Sequence, residues 1–199
     1  HLAWTLSLPN LDPGETARVA VVAMDKDAAT QVLDYVKSII SQSPVLSAAL
    51  VGDVLYDGDD SQDIGTKTGV ALKRPDGKRV EVVVRAASRG GSTLRSRTLV
   101  ALIMDEACCF HTDNGSKVND EEIFDAAKGS VRNTPGAQIL IASSPWIDGE
   151  GLLERLISEN WKSGAQGTTA LVAARVSSKL MRPGFDPDGE MEAKECATE

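Results

Sequence analysis

Leu102-Ile103-Met104-Asp105-Glu106 is an apolar run that ends in two adjacent carboxylates. At the carboxyl edge of a buried strand such a pair can divide two tasks around a nucleotide. Asp105 would hold a magnesium ion through its water shell, because Mg2+ favours a few carboxylates together with waters and substrate phosphates. Glu106 would orient and deprotonate the attacking water. This arrangement is known as a Walker B strand. The two residues also have a plainer use, since acidic side chains commonly cap a helix that comes after a strand. A second apolar run, Gln138 to Ala142, ends in Ser143-Ser144-Pro145. Small hydroxyls there could contact a γ-phosphate or its water, or simply cap a turn ahead of Pro145. The two exits together say more than either alone, because one nucleotide could touch both.

Such residues must be carried by strands that end on a common edge, and the hydrophobic pattern supplies them. Arg18 to Met24 is short, aliphatic and β-branched, as suits a strand buried on both faces. Asp25 or Asp27 can cap a following helix in which Ala28, Val32, Leu33, Val36, Ile39 and Ile40 recur at helical spacing until Ser43-Pro44. Asp53 to Asp63 is rich in Asp and Gly and reads as an exposed acidic loop. Gly69 to Leu72 and Arg79 to Ala86 flank Pro75-Asp76-Gly77-Lys78, which has hairpin-turn composition. Asp120 can cap a helix from Glu121 to about Gly129, with Ile123, Phe124 and Ala127 inward. Gly151 to Trp161 is helical in spacing, and Thr168 to Ala174 is a further strand candidate. Alternating strands and helices predict a three-layer α/β fold with a mainly parallel sheet.

Length and composition set outer bounds. With 199 residues and 42% apolar content the chain can bury one sizeable core, and 25% charged residues with 4% aromatics describe an aliphatic globular protein. No apolar run spans a bilayer and no secretory signal opens the chain, so it reads as soluble and intracellular. Cys108, Cys109 and Cys196 are odd in number and lack metal-ligand spacing, so they read as buried or incidental thiols. The net charge of -8 argues against a protein that coats nucleic acid over its whole surface. Yet Lys73, Arg74, Lys78, Arg79, Arg85, Arg89, Arg95 and Arg97 face only Asp76 and Glu81 in that stretch. This cluster reads as a solvated hairpin face or as a phosphate or DNA contact.

The chain opens at His1 inside an apolar stretch, as a fragment would, and Leu2, Ala3, Leu6 and Leu8 read as the tail of a helix. No G-x-x-x-x-G-K-[ST] pattern occurs; Ser88-Arg89-Gly90-Gly91-Ser92-Thr93 has the glycines without the lysine or the spacing. As given, the polypeptide is expected to bind ATP poorly and hydrolyse little or none.

The order Thr93 to Thr98, Leu99 to Glu106, Asn133-Thr134-Pro135-Gly136 and Ile139 to Pro145, with Gly149 and Gly151 soon after, resembles the ATPase domain of the large subunit of tailed-bacteriophage terminases. Val21 to Asp25 and the helix with Ala28 and Ala29 resemble the strand and helix that come after the phosphate loop in that family. The likeness covers about residues 1 to 187. It implies a P-loop NTPase fold of the ASCE or RecA-like type with an inserted β-hairpin. Residues 1–180 would be a partial ATPase domain and 181–199 a linker toward a nuclease domain. It further implies ATP and Mg2+ as cofactors, with Asp105 as metal and nucleotide ligand and Glu106 as base. Ser143 and Ser144 would belong to the motif coupling hydrolysis to motion, Ser144 also touching nucleotide. Arg95 matches the family's upstream arginine, although Ser96 stands where glycine is usual, and would act as an arginine finger; Arg89 and Arg97 are rivals. Partners implied are viral double-stranded DNA, a portal protein and a small terminase subunit, with a homo-oligomeric ring on the portal, in the host cytoplasm and away from membranes.

Two other readings fit the same residues. A helicase-like ATPase also carries Asp-Glu after one strand and small hydroxyls after the next. A non-enzymatic α/β module would use Asp105 and Glu106 as caps and the basic hairpin for a protein or nucleic-acid partner. His111, Trp146, Trp161 and the carboxylates Asp57, Asp59, Asp60 and Asp63 read as loop or packing residues.

Overall fold

A computed structural model describes residues 1–8, 11–12, 14–55, 67–87, 94, 98–110, 120–132, 134–143 and 152–161. Strand β1 (Thr16–Ala23) is the one expected from Arg18 onward. Ala20, Val21, Val22 and Ala23 are buried in succession, which a strand achieves only when both faces of its sheet are covered. Helix α1 (Leu2–Thr5) is a single turn ahead of it, and helix α2 (Lys26–Gln42) comes after. The Ala28 N–H donates to the Asp25 carboxylate at 2.8 Å, so Asp25 is the cap. Ser43 ends α2 and caps the short helix α3 (Pro44–Ala49), which the hydrophobic pattern does not announce.

The buried stripe of α2 is Ala29, Leu33 and Ile40. Ile39, expected inward, is 64% exposed, because each residue turns the helix by about 100° and the stripe runs through its neighbour instead. The expected acidic loop is also corrected in part. Asp53 to Leu55 lie in strand β2 (Leu50–Leu55), and the Asp53 carboxylate meets Lys37 Nζ at 2.9 Å. An edge strand tolerates Gly52 and Asp53 where a central one would not. Positions 56–63 lie outside the described residues.

Strands β3 (Lys67–Lys73) and β4 (Arg79–Ala86) form the expected hairpin. Its turn closes where Arg74 N–H donates to Lys78 O at 2.9 Å, with Gly77 at φ 80°. Gly69 on β3 has no room for a side chain, since a Cβ there would sit 2.3 Å from Val82 O across the ladder. Beyond lie strand β5 (Leu99–Asp105), helix α4 (Asp120–Arg132), strand β6 (Gln138–Ala142) and helix α5 (Leu152–Trp161). The sheet order is β2-β3-β4-β1-β5-β6. β4, β1, β5 and β6 run parallel, while β3 runs antiparallel to both of its neighbours, β2 and β4. The hairpin is therefore no appendage: β4 pairs with β1 along its whole length, from Thr16↔Arg79 to Ala23↔Ala86.

One face of the sheet packs α1 and α2 through Val21, Val80 and Val84. Ala20, Val22, Leu102 and Met104 are equally buried. Each large side chain removed from water in this way contributes about 2 kcal/mol. Helix α4 packs against β5 and β6, burying Ile123, Ala127 and Val131. Phe124 is only half-buried, with Lys128 Nζ 5.7 Å from its ring centroid. The chain divides into two compact units, His1–Arg155 and Leu156–Glu199; of the second only Leu156 to Trp161 is described. The strand expected over 168–174 and the linker over 181–199 lie outside the described residues. Among the described residues no helix is long and apolar enough to cross a membrane.

Candidate nucleotide-binding edge

Parallel strands present their carboxyl ends on one edge, and in open α/β sheets ligands bind beyond it. β5 and β6 meet this condition directly, since Asp105 pairs with Ala142. Asp105 therefore stands beside the residue that precedes Ser143. The Ser143 hydroxyl reaches across, accepting the Cys108 backbone N–H at 2.9 Å. It ties the exit of β6 to the turn after Glu106.

That turn has an unusual start. Glu106 has φ 52° and ψ 47°, the left-handed region, and is the one positive-φ residue other than glycine among the described residues. Such a conformation costs a side-chain-bearing residue about 1 kcal/mol or more and persists only where its surroundings impose it. A 3₁₀ turn over Ala107–Cys109 then closes through Cys109 N–H donating to Glu106 O at 2.8 Å. Ala107 and Phe110 anchor the turn in the interior at 2% exposure each. The Glu106 side chain makes no capping hydrogen bond and stands exposed. Capping, the plain reading of this carboxylate, is thus not its use here.

Ser144 and Arg95 lie outside the described residues, as do Arg89, Arg97, His111, Trp146 and the side chain of Trp161. Leu94, next to Arg95, is buried, and its carbonyl accepts the Ser130 hydroxyl of α4 at 3.3 Å. Of the strand-end residues, Asp105 offers the kind of oxygen ligand that a hard cation such as Mg2+ would take.

The hairpin's basic cluster is corrected in part. Arg74 Nη1 donates to Ala3 O at 3.1 Å and Leu6 O at 2.8 Å, satisfying carbonyls at the end of α1. Lys78 Nζ donates to Leu8 O, and Arg79 pairs with Glu81 at 3.1 Å. Glu81 also receives Arg18 at 2.8 Å. Three of the cluster's cations thus hold the chain's own first residues or sheet face, rather than forming a uniform patch for a polyanion.

Sequence patterns did not separate one further grouping. The turn brings a Glu106 carboxylate oxygen and the Sγ atoms of Cys108 and Cys109 within 4.8 Å of one another. Hydrogen bonding to Cys108, and then burial, push the Cys109 thiol above its ordinary value. An adjacent cysteine pair one residue beyond a strand-end acid was the available signal; the left-handed residue and the 3₁₀ turn that bring acid and thiols within reach of one another were not visible.

The fold and edge together define a mixed α/β protein whose six-stranded, mostly parallel sheet carries acidic and hydroxyl side chains at adjoining strand ends. Among solved structures, the large terminase of bacteriophage HK97 superposes on it with a TM-score of 0.56 at 15% identity, over 95% of this chain. At that identity the likeness shows a terminase-like fold. The chain spans 38% of the length of that terminase. No protein-family model and no curated protein matches the chain.

Proposed function

We propose that this chain is the ATP-hydrolysing portion of a DNA-packaging motor, a terminase large subunit with a P-loop core of ASCE or RecA-like type. The observation that carries the reading is Glu106: an exposed carboxylate held in a left-handed conformation at the end of a central strand, without a capping role. Strain retained beside a tied-down turn is characteristic of residues that act on a ligand. The fold shared with a phage large terminase supports the same reading.

In this scheme Asp105 would hold Mg2+ through its water shell, and the ion would supply positive charge to offset that of the phosphates. Glu106 positions the attacking water and accepts its proton. Ser143 keeps the two strand exits in register, so that a change at the phosphate end of β5 is passed to β6, and Ser144 meets the nucleotide. Arg95 supplies positive charge to a neighbouring subunit's nucleotide. The substrate moved is viral double-stranded DNA, with a portal protein and a small subunit as partners of a ring in the host cytoplasm. The phosphate-binding motif is not within these 199 residues.

The test compares ATP turnover by parent and Glu106→Gln in the chain extended by the residues encoded directly upstream of His1. The amide keeps the shape but accepts no proton, so turnover falls by about 10²- to 10⁴-fold while nucleotide binding is retained. A parent without turnover, or a variant that matches it, overturns the reading.

A further inference from the structure

We propose that Glu106, Cys108 and Cys109 form a binding site for a thiophilic divalent cation of the zinc class, separate in chemistry from the magnesium role of Asp105. Two thiols and one carboxylate supply three ligand atoms, already within 4.8 Å of one another. The two sulfurs are 3.4 Å apart. In a tetrahedral site with Zn–S bonds of about 2.3 Å the sulfurs stand roughly 3.8 Å apart, so a few tenths of an ångström of side-chain rotation opens the pair to the required bite. The backbone beneath them is fixed before any cation arrives. Its amides are held by Glu106 O and by the Ser143 hydroxyl, and Ala107 and Phe110 pin it inward. Preorganisation of this kind lowers the ordering cost of binding.

Geometry also decides between the two things a thiol pair can do. Adjacent Cα atoms are about 3.8 Å apart, short of the roughly 4.4 to 6.8 Å that an unstrained disulfide needs. Chelation meets no such restriction. Both thiols are half-buried and Glu106 is exposed, so the cation enters from the solvent side and keeps its fourth position for water. Two thiol protons leave to solvent as it binds. Mg2+, which prefers oxygen ligands, does not compete for the sulfurs. A bound cation occupies the carboxylate that the proposed hydrolysis uses as its base, so the two roles are alternative states of Glu106; metal binding and turnover are measured separately, and failure of either leaves the test of the other intact.

The experiment titrates the reduced, metal-stripped 199-residue chain with Co2+ and follows the thiolate-to-cobalt charge-transfer absorption. One equivalent per chain is expected, displaced by Zn2+ and retained in excess Mg2+. Cys108→Ser and Cys109→Ser each weaken binding by at least about 10-fold, the loss seen even for changes one shell further out, whereas Cys196→Ser leaves it unchanged. In the unsubstituted protein, Zn2+ shields Cys108 and Cys109 from iodoacetamide and leaves Cys196 open, as read by peptide mass. Absence of the charge-transfer band, its survival in the Cys108→Ser/Cys109→Ser double variant, its loss on Cys196→Ser alone, or equal alkylation with and without zinc each overturns the site.

Discussion

Asp25 and Glu106 come after neighbouring parallel strands and emerge at the same edge of the sheet, yet the fold uses them in opposite ways. Asp25 has extended backbone and accepts the Ala28 N–H, so its charge closes the first turn of α2. Glu106 adopts a left-handed backbone, caps nothing and leaves its carboxylate facing outward. A structural carboxylate is recognised by the donor it satisfies. One kept strained without such a donor points to a demand from outside the fold.

The largest effect on this contrast should come from Ser143, which holds the Glu106 turn from below. Ser143→Ala leaves the part-buried Cys108 N–H without its acceptor and costs about 1 to 3 kcal/mol, read as a lower urea midpoint at unchanged slope. A midpoint equal to the parent's would mean that the hydroxyl does not hold the turn. Asp25→Ala, the equivalent deletion at the β1 exit, removes a helix cap and costs about 1 kcal/mol.

Glu106→Gly sharpens the comparison because its sign is reversed. Glycine occupies the left-handed region without penalty, so the variant gains up to about 1 kcal/mol while losing the proposed base. The same substitution at Asp25 loses little, as glycine is itself tolerated at a cap. A Glu106→Gly variant less stable than the parent would show that the carboxylate has a stabilising partner after all, and the two strand ends would then differ in degree only.

The same pair shows how far residues alone anticipate the structure. Strands β1 and β5, the Asp25 cap and the β3–β4 turn were legible because each rests on a local signal: an apolar run, a capping carboxylate, a Pro-Asp-Gly turn. The common edge of Asp105 and Ser143 could be inferred from both runs reading as parallel strands, although β6, expected to be central, is the outermost strand of the described sheet and leaves alternate residues exposed. Features that were not legible depend on partners distant in the chain. Arg74 looked like a free cation, but its guanidinium closes carbonyls about seventy positions earlier. β2 was hidden because Gly and Asp are poor strand formers, and only pairing with β3 overrides that. The left-handed Glu106 carries no signature in residue type at all.

The smallest effect lies at the start of β1 and β5, opposite the proposed site, and tests whether that end of the sheet is purely structural. Glu15 accepts the Thr98 hydroxyl and, at 3.0 Å, the Asp12 backbone N–H. The Thr98 bond and then the Asp12 bond hold its carboxyl below the ordinary 4.5. A folded-state pKa below the unfolded one stabilises the protein above the ordinary carboxylate range, and that contribution is lost as the pH falls through the lowered value. Glu15 is only partly buried, so the contribution is small and weakens with added salt. Urea midpoints of parent and Glu15→Gln should therefore differ slightly at neutral pH and converge under acid. A difference that grows on acidification would reverse the sign of the linkage and show that the carboxylate is disfavoured in the folded protein.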